Sequence, residues 1–204
     1  NKNILSPKNF QSNVLRMKIL DKEIFKRVKF DNNESNWSTM TKSVENVYEH
    51  INALLTELKN KVPDLWNTSR NIKTQSPGLL RDIIIGALLV IIDRASIHIW
   101  NKNEPLSLKK LTELTKPIMR KLGDELKKCD KDDLYGAKGC LNLDFYQIKG
   151  SQASNLVAMY LIDLFLKKDY ENLVYEGDEE KISGLRQGQT PKETLLLRKH
   201  KNAI

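Results

Sequence analysis

Residues 83–92 read IIIGALLVII, ten consecutive positions without a charge or a hydrogen-bonding side chain, bracketed by Arg81-Asp82 and Asp93-Arg94. At about 1.5 Å of rise per residue, such a helix reaches only halfway through a hydrocarbon layer of roughly 30 Å, so it is no membrane span. A helix that is apolar on nearly every face has to be surrounded by other elements. Ser76-Pro77 provides a start signal, a hydroxyl able to cap free amides followed by a residue with no amide of its own. The pattern predicts a buried central helix over about 77–100.

Other helical patterns flank it. Ser6-Pro7 introduces a first helix running to about Phe30, with Leu15, Ile19, Leu20, Ile24, Val28 and Phe30 at roughly helical spacing. Residues 38–61 form the clearest amphipathic stretch: Met40, Val44, Val47, Tyr48, Ile51, Leu54, Leu55 and Leu58 advance by threes and fours. Pro63 ends it, and Trp66 is expected to fold back onto the core. In residues 107–129 the inner stripe is Leu108, Leu111, Leu114, Ile118, Leu122 and Leu126, and Pro117 within it predicts a kink or two short helices. Residues 141–149 alternate weakly, as a short strand or a helical turn would. A last core helix over 152–167 presents Leu156, Val157, Tyr160, Leu161, Leu164 and Phe165.

From residue 177 the composition turns polar and reads as a linker or extended arm. It leads to Thr190-Pro191-Lys192-Glu193, a capping box with proline at the first helical position. The helix that follows is too short to bury Leu195, Leu196 and Leu197 by itself, and isolated helices of this length are marginal in water. These leucines, with Arg198, are the candidate partner-binding residues, docking in a groove of another copy or of a different protein in preference to a groove on the same domain. The expected architecture is all-α: an irregular bundle of five or six helices over 1–176, and a polar arm over 177–204.

Charge adds a candidate function. The net charge of +8 is unevenly spread. Residues 1–30 carry eight Lys/Arg against two Asp/Glu, and residues 101–131 carry nine against five, whereas residues 132–194 carry seven against eleven. Clustered cations attract polyanions through counterion release and long-range fields. The candidate nucleic-acid contacts are Lys22, Lys26, Arg27 and Lys29 on the first helix and Lys109, Lys110, Lys116, Arg120 and Lys121 on the fourth. Exposed aromatics for base stacking are scarce, which points to phosphate contacts, to RNA rather than a specific duplex. The plainer account is that lysines keep the chain soluble.

The remaining chemistry is sparse. Cys129 and Cys140 are separated by a turn-rich loop, and reduced thiols are expected in preference to a bridge. No further cysteine or histidine lies near them to complete a zinc site. Asp130, Asp132 and Asp133 lack the glycine and glutamate that an EF-hand loop requires, and read as a solvated turn. His50, His98 and His200 fall on separate elements, with His98 the one expected to be partly buried. Gly136-Ala137-Lys138-Gly139 is too short for a phosphate loop. Asp82 and Asp93 share a helix face but stand about 16 Å apart along the axis, so ion pairs at the core rims are expected, with Arg81 and Arg94 as rim residues. Asn33, Asn36 and Asn67 begin N-glycosylation triplets in expected loops.

No catalytic, metal or cofactor site emerges from these residues. The first expectation is a non-enzymatic, intracellular binding protein that holds nucleic acid by phosphate contacts and protein partners, or a second copy, through its C-terminal helix. The alternative is an adaptor or subunit without nucleic-acid contact. The second alternative is a secreted helical-bundle ligand, which a closed cysteine bridge would favour.

Overall fold

The apolar run is helical and enclosed. In a computed structural model describing residues 7–17, 36–66, 78–100, 108–132, 134–135, 140–141, 151–175 and 178, it lies in α3 (Asp82–Trp100). The other α-helices among the described residues are α1 (Pro7–Val14), α2 (Asn36–Lys61), α4 (Leu108–Leu126) and α5 (Ser151–Leu161). A π turn (Ile162–Leu166) continues α5, and 3-10 turns occupy Pro63–Leu65 and Glu171–Leu173. No strand occurs among the described residues. Helix α3 packs mainly on α5 and α4 and also meets α1 and the 171–173 turn, while α2 packs mainly on α4. Of residues 83–92 all but Ile83 and Val90 are buried, and those two lie against the core.

Four departures from the sequence pattern have physical causes. First, α3 begins at Asp82 and not near Pro77, because the preceding backbone is already committed. Leu79 donates to the Leu65 carbonyl (2.8 Å), the Tyr135 hydroxyl donates to the Gly78 carbonyl (3.0 Å), and Arg81 donates to the Leu79 carbonyl (2.8 Å). Second, the first helix does not run on to Phe30. After Val14 it tightens into turns closed by Arg16 on Asn13 and Met17 on Val14, which expose Leu15 (69%) and bury Met17. Residues 18–35 lie outside the described residues.

Third, α4 is one helix with Pro117 inside it. The carbonyl that loses its amide partner belongs to Glu113, and both residues lie on the exposed side, where water can serve instead. Leu114, expected inside, is 45% exposed, and Thr112 and Thr115 take inner positions. They do so by returning their hydroxyls to the Leu108 and Leu111 carbonyls (2.8 and 2.7 Å). Fourth, the π turn, closed by Lys167 on Ile162 (2.7 Å), widens one turn and rotates the apolar face. Ile162 and Leu166 go in, and Leu164, expected inside, is 48% exposed.

Gly86 is where three helices converge. A Cβ built there would stand 2.8 Å from the Asn13 side-chain nitrogen on α1 and 2.9 Å from Ser154 Cβ on α5. Gly86→Val should therefore cost roughly 1–3 kcal/mol of folding free energy through overpacking. Urea unfolding reads this directly, and an unchanged midpoint would mean that the helices do not approach so closely. Ile91→Asp should abolish cooperative folding, since an unpaired buried charge costs several kcal/mol against a total of about 5–15.

Candidate functional site

Two features of α2 and α4 define their common face. Glu57 accepts from Arg120 Nε (2.7 Å) and Asp124 accepts from Lys61 (2.8 Å), both across 63 residues of sequence. His50 meets Thr112 across 62. A constant offset means that the two helices run in the same direction. Residues 62–107, with α3 inside them, make the return.

The same face and its surroundings engage three of the expected basic contacts. Lys116 is paired with Glu113 (2.8 Å), Arg120 with Glu57, and Lys121 with Asp169 (3.1 Å) and Glu125 (3.5 Å). The hydrogen bond from Arg120 holds the Glu57 carboxyl below the usual carboxylate range, and Lys128 does the same for Glu125. Glu57 and Asp169 in turn raise Arg120 and Lys121 above their ordinary values. Arg120 is turned toward α2 while Lys121 is turned toward the 167–170 turn, so consecutive cations diverge. Lys109 and Lys110 are exposed near the start of α4. Three of the five, Lys116, Arg120 and Lys121, therefore each stand beside a carboxylate. Lys22, Lys26, Arg27 and Lys29 lie outside the described residues, as do Leu195, Leu196, Leu197 and Arg198.

The buried polar groups are not those the sequence pattern singled out. His50, not His98, is the enclosed histidine, at 1% exposure, and His98 is half-buried. Its Nδ1 lies 2.7 Å from Thr112 Oγ1 and its Nε2 lies 2.9 Å from Ser96 Oγ. A serine beside an imidazole has the outline of a nucleophile and its base. Both are sealed in the core, and a threonine stands where an orienting carboxylate would, so the group joins three helices and reaches no solvent-borne substrate.

Arg94 is likewise no rim residue. It is buried with Asp93, and its Nη1 donates to Asp178 Oδ2 (2.6 Å) and to the Leu173 carbonyl (3.0 Å) while its guanidinium covers the Tyr175 ring (4.2 Å). Asp178 also accepts from the Tyr175 amide (2.9 Å). Burial pushes the Tyr175 hydroxyl up; Arg94 opposes this, and Asp93 and Asp178 reinforce it. Asp178 is 2% exposed, and the rest of the expected arm, 177 and 179–204, lies outside the described residues.

Cys129 and Cys140 are bridged, with Cα atoms 5.7 Å apart, which corrects the expectation of reduced thiols. The loop they close is anchored inward: Leu134 is buried and receives the Leu141 amide on its carbonyl (2.9 Å). Arg81 lies over the Tyr135 ring (4.4 Å), at the start of α3 rather than on a free rim. Asp130 accepts from the Asp132 amide (2.9 Å) and both are exposed, as a solvated turn requires. Asn36 opens α2 instead of lying in a loop, and Asn33 and Asn67 fall outside the described residues. Among the described residues no three His, Cys, Asp or Glu side chains group to hold a metal, and no helix is long and apolar enough to cross a membrane.

Arg94→Met should cost about 3–5 kcal/mol, because it leaves the Asp178 carboxylate buried beside an apolar side chain. Adding Asp178→Asn should recover part of that loss, and a double-mutant cycle in urea measures the coupling. Additive losses would mean that the pair is not formed.

No protein-family model, no curated protein and no solved structure matches the chain.

Proposed function

We propose that the chain is a secreted, disulfide-stapled helical bundle that works by binding another protein through its outer helix faces. The Cys129–Cys140 bridge carries this reading. Disulfides persist in secreted and extracellular proteins and are reduced by the thiol pools of cytosol and nucleus. Both cysteines are consumed by the bond, which removes them as metal ligands or nucleophiles. Closing a loop of this size contributes on the order of 3 kcal/mol, a large part of a small domain's stability.

The nucleic-acid reading rests on the net charge of +8, and the ion pairs of Lys116, Arg120 and Lys121 weigh against it. A phosphate would have to displace Glu57 or Asp169 before gaining its cation. Exposed ion pairs are individually worth about 0–1 kcal/mol, so such displacement is possible but brings little net attraction. Lys109 and Lys110 add two adjacent positions, a short track for a duplex or an extended strand.

Two measurements on full-length protein made through the secretory route test this assignment. Alkylation without reductant should add no label, and alkylation after reduction should label both cysteines. Affinity for generic RNA should be weak at 150 mM salt and nearly unchanged when Lys109, Lys110, Arg120 and Lys121 are all replaced by Glu. Alkylation of the unreduced protein, or a logarithmic salt slope that falls by about one for each lost cation, would return the chain to the intracellular, nucleic-acid reading.

A further inference from the structure

His50 stands where α2, α3 and α4 meet, and its hydrogen-bond partners assign its proton. The Thr112 hydroxyl has one hydrogen, which goes to the Leu108 carbonyl (2.8 Å). Toward His50 it can only accept, so Nδ1 carries the proton. In the neutral ring Nε2 is then an acceptor, and it is filled by the Ser96 hydroxyl (2.9 Å). Every donor and acceptor in the group is matched, provided the imidazole is uncharged. Protonation at Nε2 would set two hydrogens against each other on the Ser96 side and force that hydroxyl to turn away.

Among the described residues, the ring's two hydrogen-bond partners are the neutral hydroxyls of Thr112 and Ser96. On α2 the neighbouring Glu45 and Glu49 are exposed, and on α4 Lys109, Lys110 and Glu113 are exposed. On α3 Arg94 is engaged with Asp178, Asp93 is buried beside it in sequence, and His98 lies one half-turn beyond Ser96. We propose that His50 is an acid-sensitive clasp: neutral, it locks α2 onto the α3–α4 pair, and proton uptake loosens that junction.

Burial alone lowers its pKa from 6.5 to about 4. The sign follows from linkage. The unfolded chain binds the proton more tightly, so the clasp's contribution is complete above about pH 6.5 and is lost as pH falls toward 4. At pH 5 the folding constant should stand about 30-fold below its value at pH 7.5. Glu57 and Glu125, held below the ordinary carboxylate value of 4.5, lose most of their contribution beneath that value, and the variants at His50 and His98 separate the histidine from the remaining groups.

Urea unfolding and backbone hydrogen exchange of the full chain at pH 7.5, 6 and 5 provide the test. The wild type should lose about 30-fold in folding constant by pH 5, with amides of residues 50–58 gaining exchange beyond the chemical rate. His50→Gln, which can still donate to Thr112 and accept from Ser96, should remove most of this dependence, and His98→Gln should keep it. Imidazole 15N shifts of the wild type give the tautomer and titration midpoint without any variant, should His50→Gln not fold. Wild-type stability that is flat from pH 7.5 to 5, an equal decline in His50→Gln, or a His50 midpoint near 6.5 would overturn the clasp.

Discussion

A helix with no polar side has nowhere to face solvent, and the fold is arranged around that constraint on α3. Leu88, Leu89, Ile91 and Ile92 point in different directions around the axis and all are sealed, so at least three neighbours are needed to cover them. α5 and α4 supply most of the cover, with α1 and the 171–173 turn closing further sides. Close approach requires small residues at the crossings. Gly86 admits Ser154 and Asn13, and Gly123 admits Lys61 and Leu58 between α4 and α2. The chain just before Asp82 serves the same enclosure: Leu79 and Leu65 are both buried, and the Leu79 amide donates to the Leu65 carbonyl.

Enclosure also raises the stakes for every polar group that ends up inside. Toward its C-terminal half α3 carries Asp93, Arg94 and Ser96, all buried. An unmatched polar atom there costs on the order of 1–3 kcal/mol, and more when charged. Two local solutions meet this cost. Ser96 is joined through a neutral histidine to a threonine that is itself bonded back to its own helix. Arg94 is neutralised by Asp178, whose carboxylate also receives a backbone amide. Each solution ties a different element to α3, so polar matching sets which helices lie where, in addition to apolar burial.

The outer charges act differently. Glu57–Arg120 and Lys61–Asp124 register α2 against α4 along their shared edge, and Lys121 joins α4 to the turn after α5. Each such pair is exposed and weak alone. Together they set Arg120 and Lys121 of α4 each beside a carboxylate, so that along this edge charges of opposite sign alternate.

Helical class, the central position of the apolar run, five of the six expected inner positions of α4 and the stop after α2 were legible in the sequence. These depend on periodicity and on the fixed geometry of proline, which act over a few residues. His50 carried a signal that was passed over in favour of His98, since it falls three residues after Val47 and four before Leu54 on the buried stripe. Only the tertiary structure decided the rest. The pairing of Arg94 with Asp178 spans 84 residues, and the cancellation of Arg120 by Glu57 spans 63; no local rule reaches that far. Bridging of Cys129 to Cys140 depends on Leu134 and Tyr135 drawing the loop inward. Exposure of Leu114 and Leu164 depends on which side of each helix finds a neighbour, and a widened turn in one helix is enough to change that side.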